Sequence, residues 1–211
     1  MYNTGEQHLI NKFEIFLRIF KNLMDTIIQT DKSFLNVHQY TLDEQCIKDV
    51  SDKLLENPEI EVYGKRCYQH RSIGFFSDES LGYKYSRKFM KSQPLSSSLK
   101  DLLNIINLKF NLNFNGILVN RYENGEDYIS AHSDDEKYIK VNDVISISWG
   151  QSRNFRIRDK NNKKIIANIP TLSGQIIHMG GEFQREFTHE IPKEKKINGI
   201  RYSLTFRMHI K

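Results

Sequence analysis

Cysteine is scarce in this chain of 211 residues, with Cys46 and Cys67 the two present. Two cysteines exclude a disulfide framework, leave room for one bridge, and fit a reducing compartment. Proline (4) and glycine (11) are also few, which excludes collagenous and low-complexity chains, and 38% hydrophobic residues exclude disorder. No long apolar run is present. The most apolar N-terminal stretch, Leu9 to Ile28, carries Lys12, Glu14, Arg18, Lys21 and Asp25, charges that a bilayer core would not tolerate cheaply. It has neither the uninterrupted apolar segment nor the small-residue cleavage site of a secretory signal, so an intracellular location is expected. A nuclear one stays open, although Lys193-Glu194-Lys195-Lys196 is a poor localisation signal. No internal repeat is visible, and no linker is long enough to separate independent domains.

What is present is an ordinary globular composition with a mild basic excess, 31 Lys+Arg against 26 Asp+Glu, which suits an anionic partner without specifying one. Leu9, Ile10, Phe13, Phe16, Leu17, Phe20, Leu23, Met24 and Ile27 recur at spacings of three and four, which predicts an amphipathic helix packed on a core. Ser33–Tyr40 reads as a strand. Thr41 or Asp43 then caps a second helix with Ile47, Val50, Leu54 and Leu55 inward, ended by Asn57-Pro58. Pro94 opens a third, Leu95 to Phe110. From Phe114 onward short strands follow one another without helices: Gly116–Tyr122, Val144–Trp149, Asn154–Arg158, Lys164–Ile169, Gln175–Met179, Phe187–Ile191 and Ile200–Ile210. Such a run predicts a sandwich or barrel.

Between Glu59 and Lys91 aromatic and basic residues interleave, among them Tyr63, Lys65, Arg71, Tyr83, Tyr85 and Phe89. Rings stack on bases or wedge between them while cations neutralise phosphates, so this stretch fits a nucleic-acid surface. A half-buried β-meander with a solvated face fits it equally well.

Ala131-His132-Ser133-Asp134 is the strongest local feature. On extended backbone residues two apart share a face, so His132 and Asp134 can present a nitrogen and an oxygen to one point. A distant histidine would complete a two-His-one-carboxylate site, which holds Fe(II) and leaves three positions open. His189 is the candidate, with His178 and His209 as competitors. The last strand alternates Tyr202, Leu204, Phe206, Met208 and Ile210 against Arg201, Ser203, Thr205 and Arg207. A polar face with two arginines suits a barrel interior that holds a dicarboxylate, since Arg pairs bidentately with carboxylates.

With Asn120-Arg121-Tyr122, Asn124-Gly125, His132-x-Asp134, His189 and Arg201-Tyr202-Ser203-Leu204-Thr205-Phe206-Arg207 in this order, the chain resembles the AlkB family of iron- and 2-oxoglutarate-dependent nucleic-acid dealkylases. Val62-Tyr63-Gly64-Lys65 and Leu81-Gly82-Tyr83-Lys84-Tyr85-Ser86 resemble the recognition lid of its eukaryotic DNA-repair members. The resemblance implies an α+β fold around a double-stranded β-helix (jelly roll). The expected organisation is an N-terminal helix over 1–32, supporting helices and a nucleotide-recognition lid over 33–113, and a catalytic core over 114–211. It further implies that His132, Asp134 and His189 ligate Fe(II), and that Asn120, Tyr122, Arg201, Ser203, Thr205 and Arg207 hold 2-oxoglutarate. Arg207 is expected at its far carboxylate and Arg201 at the metal-chelating end. Tyr63 would be the wedge in the vacated base stack. Tyr83, Tyr85, Asp135 and Glu136 would contact the flipped base, with Lys65 and Arg71 also on the substrate.

The implied reaction uses Fe(II), 2-oxoglutarate and O2 to hydroxylate the alkyl carbon on a base ring nitrogen, and formaldehyde leaves. The expected substrates are 1-methyladenine and 3-methylcytosine in DNA. The same core acting on RNA is the alternative, a non-catalytic nucleic-acid-binding module a third reading, and a protein-hydroxylating oxygenase the last. A monomer with no membrane partner is expected.

Overall fold

The computed structural model describes residues 20–62, 64–85, 88–135 and 143–209, with the side chains of 20–23, 62, 83–85 and 88 outside the description. Two antiparallel sheets face each other. The larger has seven strands and is ordered β1(Phe20–Gln29), β2(Ser33–Tyr40), β13(Gln175–Gly181), β10(Val144–Gly150), β15(Arg201–Arg207), β8(Gly116–Tyr122), β5(Ser72–Phe76). The smaller has four, ordered β12(Ile165–Pro170), β11(Asn154–Asp159), β14(Phe187–Ile191), β9(Ile129–His132). This is the jelly-roll arrangement, two sheets whose inner faces enclose one interior.

Alternation along the large sheet decides what lies on each side. Ile117, Val119, Ile145, Ile147, Leu204 and Phe206 point to one face, where they pack against two helices. The first, α1(Glu44–Ser51), is capped by Asp43, whose side chain accepts from the Gln45 N–H. The second, α2(Ser97–Phe110), starts at the Ser96 cap and ends at Asn111, which has φ 53°, a conformation asparagine tolerates. The opposite face packs Leu35, Val37, Ile177 and Met179 against Phe155, Ile157, Ile169 and Ile191 of the small sheet. Each fully buried side chain of this size contributes roughly 1.5–3 kcal/mol of transfer free energy. No helix among the described residues is long and apolar enough to cross a membrane.

Two hairpins lie outside the sheets: β3(Glu59–Val62) with β4(Lys65–Tyr68), and β6(Gly82–Tyr85) with β7(Lys88–Lys91). Gly64 takes φ +76° at the turn of the first, which favours a residue without Cβ. Met90 of the second packs against Ile73, Phe75 and Leu118, which seats this hairpin on the large sheet.

Three expectations are corrected. The predicted N-terminal helix does not extend through Ile28, because residues 20–29 form strand β1, paired with β2 from Phe20↔Tyr40 to Gln29↔Phe34. Of the apolar positions Met24, Ile27 and Ile28, only Ile28 is buried, so no helical stripe is satisfied here, and β-branched Thr26-Ile27-Ile28 suits an edge strand. The part of that helix before Phe20 lies outside the described residues. Second, β1, β2 and β5 belong to the large sheet, so the barrel is not confined to 114–211. Third, α1 stops at Ser51, and Leu55 instead forms a backbone bridge with Ile73 in both directions, 2.9 and 3.0 Å. Both cysteines are free.

Candidate active site

Strand register builds the site. His189 on β14 lies directly opposite His132 on β9, and directly opposed residues in an antiparallel pair share a face. Their rings are 4.4 Å apart between centroids. Asp134, 1% exposed, follows two residues after His132 and brings Oδ1 to 3.6 Å from His132 Nε2 and Oδ2 to 3.8 Å from His189 Nε2. One ligand atom from each of the three residues falls within 4.8 Å of the others.

The surroundings set the protonation a cation needs. His132 donates Nδ1–H to the Ser130 carbonyl at 2.9 Å, which leaves the Nε2 lone pair turned to the site. Burial holds His132 below the usual imidazole range, and burial together with neighbouring His132 pushes His189 down to about 3, so both rings are neutral ligands. Phe155 stacks on the His189 ring at 5.1 Å. Burial alone would raise the Asp134 carboxyl, but the Arg207 guanidinium beside it acts the other way and holds the group ionised. Arg207 Nη2 donates to Asp134 Oδ1 at 2.5 Å, while Asp134 Oδ2 is buried without a hydrogen-bond partner among the described residues. A buried carboxylate oxygen left over beside two neutral imidazoles is a donor set that Fe(II) fits.

Behind the triad the interior stays polar. Arg201, Ser203, Thr205 and Arg207 all face inward and are 7% exposed or less, so the polar face of β15 is enclosed between the sheets. Arg201 donates Nε–H to Thr171 Oγ1 at 3.0 Å and Nη2–H to Ser148 Oγ at 2.9 Å, with Tyr122 5.3 Å below the guanidinium. Burial is the largest influence on it and lowers its pKa to about 10, against the opposing pull of Tyr122 and, more weakly, of Glu194. Ser203 and Ser146 hydroxyls meet at 2.9 Å. These residues line one pocket together with Asn120, Tyr122 and the triad. An enclosed cation that donates to neutral hydroxyls fits the carboxylate of 2-oxoglutarate.

The structure brings together the triad and all six expected co-substrate residues, and alters three assignments. The two arginines stand in the opposite order to that expected, with Arg207 against the metal ligand Asp134 and Arg201 at the Ser148–Thr171 end. Arg71, expected on the substrate, is 5% exposed inside the same pocket and donates Nε–H to Asn120 Oδ1 at 2.7 Å. His178 donates to Asp143 at 2.9 Å and His209 packs on Phe75, so neither competitor joins the triad. Lys65 is exposed on β4, and exposed Asp135 is paired with Lys160 at 2.9 Å. Tyr83 and Tyr85 occupy alternate positions of β6, opposite Met90 and Lys88, while Tyr63 and Glu136 lie outside the described residues. Sequence reasoning missed Ser146, Ser148, Thr171, Phe155 and Gln184. A small hydroxyl or a strand aromatic carries no signal until register places it.

Comparison with known proteins agrees with this geometry. The family model of the 2OG-Fe(II) oxygenase superfamily matches residues 33–207. The chain belongs to this superfamily, in its AlkB branch. It is 28% identical over 156 residues to the DNA oxidative demethylase ALKBH2 of Bos taurus, covering 70% of this chain and 56% of the relative. Against the Arabidopsis thaliana DNA oxidative demethylase ALKBH2 it is 29% identical over 181 residues, 72% of this chain and 57% of the relative. Against the Homo sapiens alpha-ketoglutarate-dependent dioxygenase alkB homolog 3 it is 34% identical over 137 residues, 60% and 48%. The chain thus spans about half the length of the curated relatives it matches. A solved structure, that of OsALKBH1, superposes with TM-score 0.54 at 17% identity, covering 86% of this chain and all of the other, and shares the fold. The superfamily is one of dioxygenases that use Fe(II), 2-oxoglutarate and O2.

Proposed function

We propose that this protein is an oxidative demethylase of N-alkylated bases in nucleic acid, acting on 1-methyladenine and 3-methylcytosine in DNA. The observation that carries the reading is the His132–Asp134–His189 triad, with His132 half-buried and the other two buried, set in one pocket with Arg201 and Arg207. Relatives named DNA oxidative demethylase support the substrate class.

His132, Asp134 and His189 would hold Fe(II), which with 2-oxoglutarate and O2 would supply oxidation of the alkyl carbon, with loss of formaldehyde and restoration of the base. The chain's own groups do the rest. Arg207 holds Asp134 Oδ1 and keeps the ligand ionised. Arg201, which donates to the Thr171 and Ser148 hydroxyls beside Tyr122, receives the far carboxylate of 2-oxoglutarate. Asn120, steadied by Arg71, and Tyr122 line the same pocket and orient that co-substrate. The apolar walls, Phe155 and Ile191 among them, exclude water from the reacting atoms. Because the alkylated atom is unreachable inside a duplex, the base must be flipped, and a lesion that blocks pairing lowers that cost. The two hairpins carrying Tyr83, Tyr85 and Lys65 form the lid against which it is read.

The test incubates the protein with Fe(II), 2-oxoglutarate and oligonucleotides bearing 1-methyladenine as duplex DNA, single-stranded DNA or RNA, and measures repaired base. Repair favouring duplex DNA is expected. Preference for RNA would move the substrate and keep the chemistry. No repair of any of the three would refute the proposal.

A further inference from the structure

The segment that carries Asp134 belongs to no strand. β9 ends at His132, and Ser133, Asp134 and Asp135 leave the sheet before the described residues break off at 135. A metal-site carboxylate on an unpaired segment would be free to swing, yet Asp134 is fixed well enough to face both histidines.

Arg207 holds the carboxylate itself, and three successive tethers hold the segment that carries it, all anchored in one short stretch. Ser133 donates its hydroxyl to the Phe187 carbonyl at 2.9 Å. Asp134 donates its backbone N–H to Gln184 Oε1 at 2.9 Å. Asp135 accepts from Lys160 Nζ at 2.9 Å, and the same ammonium donates to the Gln184 carbonyl at 2.9 Å. Gln184 sits on the helix α3(Phe183–Glu186), 1% exposed, and its amide N–H₂ reaches Met179 Sδ at 3.7 Å. Lys160 is locked to the same helix through its own backbone N–H, which donates to the Glu186 carbonyl at 2.9 Å. Gly181, at φ +68°, turns the chain into α3, where a Cβ would lie 2.1 Å from the Lys32 carbonyl oxygen. The helix runs directly into β14 and His189, so one stretch of chain supplies the third ligand and grips the segment bearing the second.

We propose that Gln184 and Lys160 are positioning residues of the metal centre, which clamp Ser133–Asp135 onto α3 and thereby fix the Asp134 carboxylate where a divalent cation needs it. Neither touches the cation. Gln184 acts through the backbone of Asp134, and Lys160 acts through Asp135 and the Gln184 carbonyl. Removing a partner that orients a ligand leaves the donor set intact but no longer preorganised, which weakens binding of the metal. The Gln184 acceptor has a further requirement, since the N–H it receives is buried and finds no water in its place.

The proposal rests on the metal-centre reading, and the experiment separates the two. Co(II) is titrated into the full apo chain and followed by its visible absorption, for the parent, Gln184→Met, Gln184→Glu and Lys160→Met, with thermal midpoints measured alongside. Gln184→Met keeps the volume and loses the acceptor, and should weaken Co(II) binding by about 10- to 100-fold, the range for partners of metal ligands. Gln184→Glu keeps an oxygen at the same reach and should restore most of the affinity, which a filler of space would not do. Lys160→Met, at a half-buried position, should fold and bind Co(II) more weakly than the parent, and it decides the matter if Gln184→Met does not fold. Parental Co(II) affinity in Gln184→Met and Lys160→Met overturns the clamp, whatever happens to the thermal midpoints, as does Gln184→Glu binding no better than Gln184→Met. A parent chain that binds no Co(II) contradicts the metal centre itself, and the clamp with it.

Discussion

Arg201 offers a prediction in which stability and co-substrate binding move in opposite directions. Arg201 is 2% exposed, it donates to the hydroxyls of Thr171 and Ser148, and burial lowers its pKa from the usual guanidinium range to about 10. At 1.36 kcal/mol per pKa unit, that shift corresponds to about 3 kcal/mol working against the charged form in the protein without co-substrate. Arg201→Met keeps the apolar stem, removes the charge, and forfeits two hydrogen bonds that together offset part of the gain. The variant should therefore fold with a thermal midpoint equal to the parent's or raised by a few degrees, at about 2–4 °C per kcal/mol for a chain of this size. Its KM for 2-oxoglutarate should rise steeply. Truncating one partner of a buried, hydrogen-bonded charge pair costs about 2–5 kcal/mol, or from about 30-fold to several thousand-fold. Scanning calorimetry and succinate formation against 2-oxoglutarate concentration measure the two quantities. A midpoint that falls by many degrees with KM unchanged would assign Arg201 to structure and refute the reasoning.

Arg207→Met should act the other way on stability, because it leaves the buried Asp134 carboxyl without the cation that keeps it ionised. A loss of about 3–5 kcal/mol is expected in the metal-free chain by urea denaturation, partly recovered when Mn(II) is added. His38, held at about 4 by burial, by His178 and by Lys109, stays neutral in the folded chain where the unfolded chain protonates near 6.5. Its contribution is complete above pH 6.5 and is lost as pH falls toward 4, so stability should rise with pH across that window, and His38→Phe should flatten the slope seen in urea titrations. The contact with Phe110 and the His178–Asp143 pair stay in place in that variant. Ile147→Ala, on the helix-packed face and fully buried, should cost about 2–5 kcal/mol by the same method and leave the KM for 2-oxoglutarate unchanged.

The last strand shows how much of this was legible in the residues themselves. The alternation from Arg201 to Arg207 marked one apolar and one polar face, and two arginines on the polar face suggested an enclosed interior. The fold places that face between the sheets. His132-x-Asp134 was legible for the same reason, since a period of two carries both side chains to one point. The selection of His189 over His178 needed the pairing of β14 with β9, which no local pattern contains.

Long-range register also explains what was misjudged. Which end of β15 lies nearest the metal depends on how the small sheet closes over the large one, so the order of Arg201 and Arg207 could not be read from their own strand. Arg71 lay in an aromatic and basic stretch and read as surface. The pairing of β5 with β8, Ile73↔Asn120, turns it inward onto Asn120. At the N-terminus, apolar spacing of three and four continued across Met24 and Ile27, but the open edge of β2 supplied backbone partners that outweighed a helical stripe with nothing to bury it.

The central claim is that His132, Asp134 and His189 form a metal centre that removes methyl groups from bases. Its most direct measurement counts formaldehyde, succinate and restored adenine in one reaction on duplex DNA containing 1-methyladenine, with Fe(II) and 2-oxoglutarate, for the parent and for Asp134→Ala. The account predicts formaldehyde and restored adenine in equal amounts from the parent, and neither from the variant. Restored adenine without formaldehyde, or equal yields from parent and variant, would contradict it.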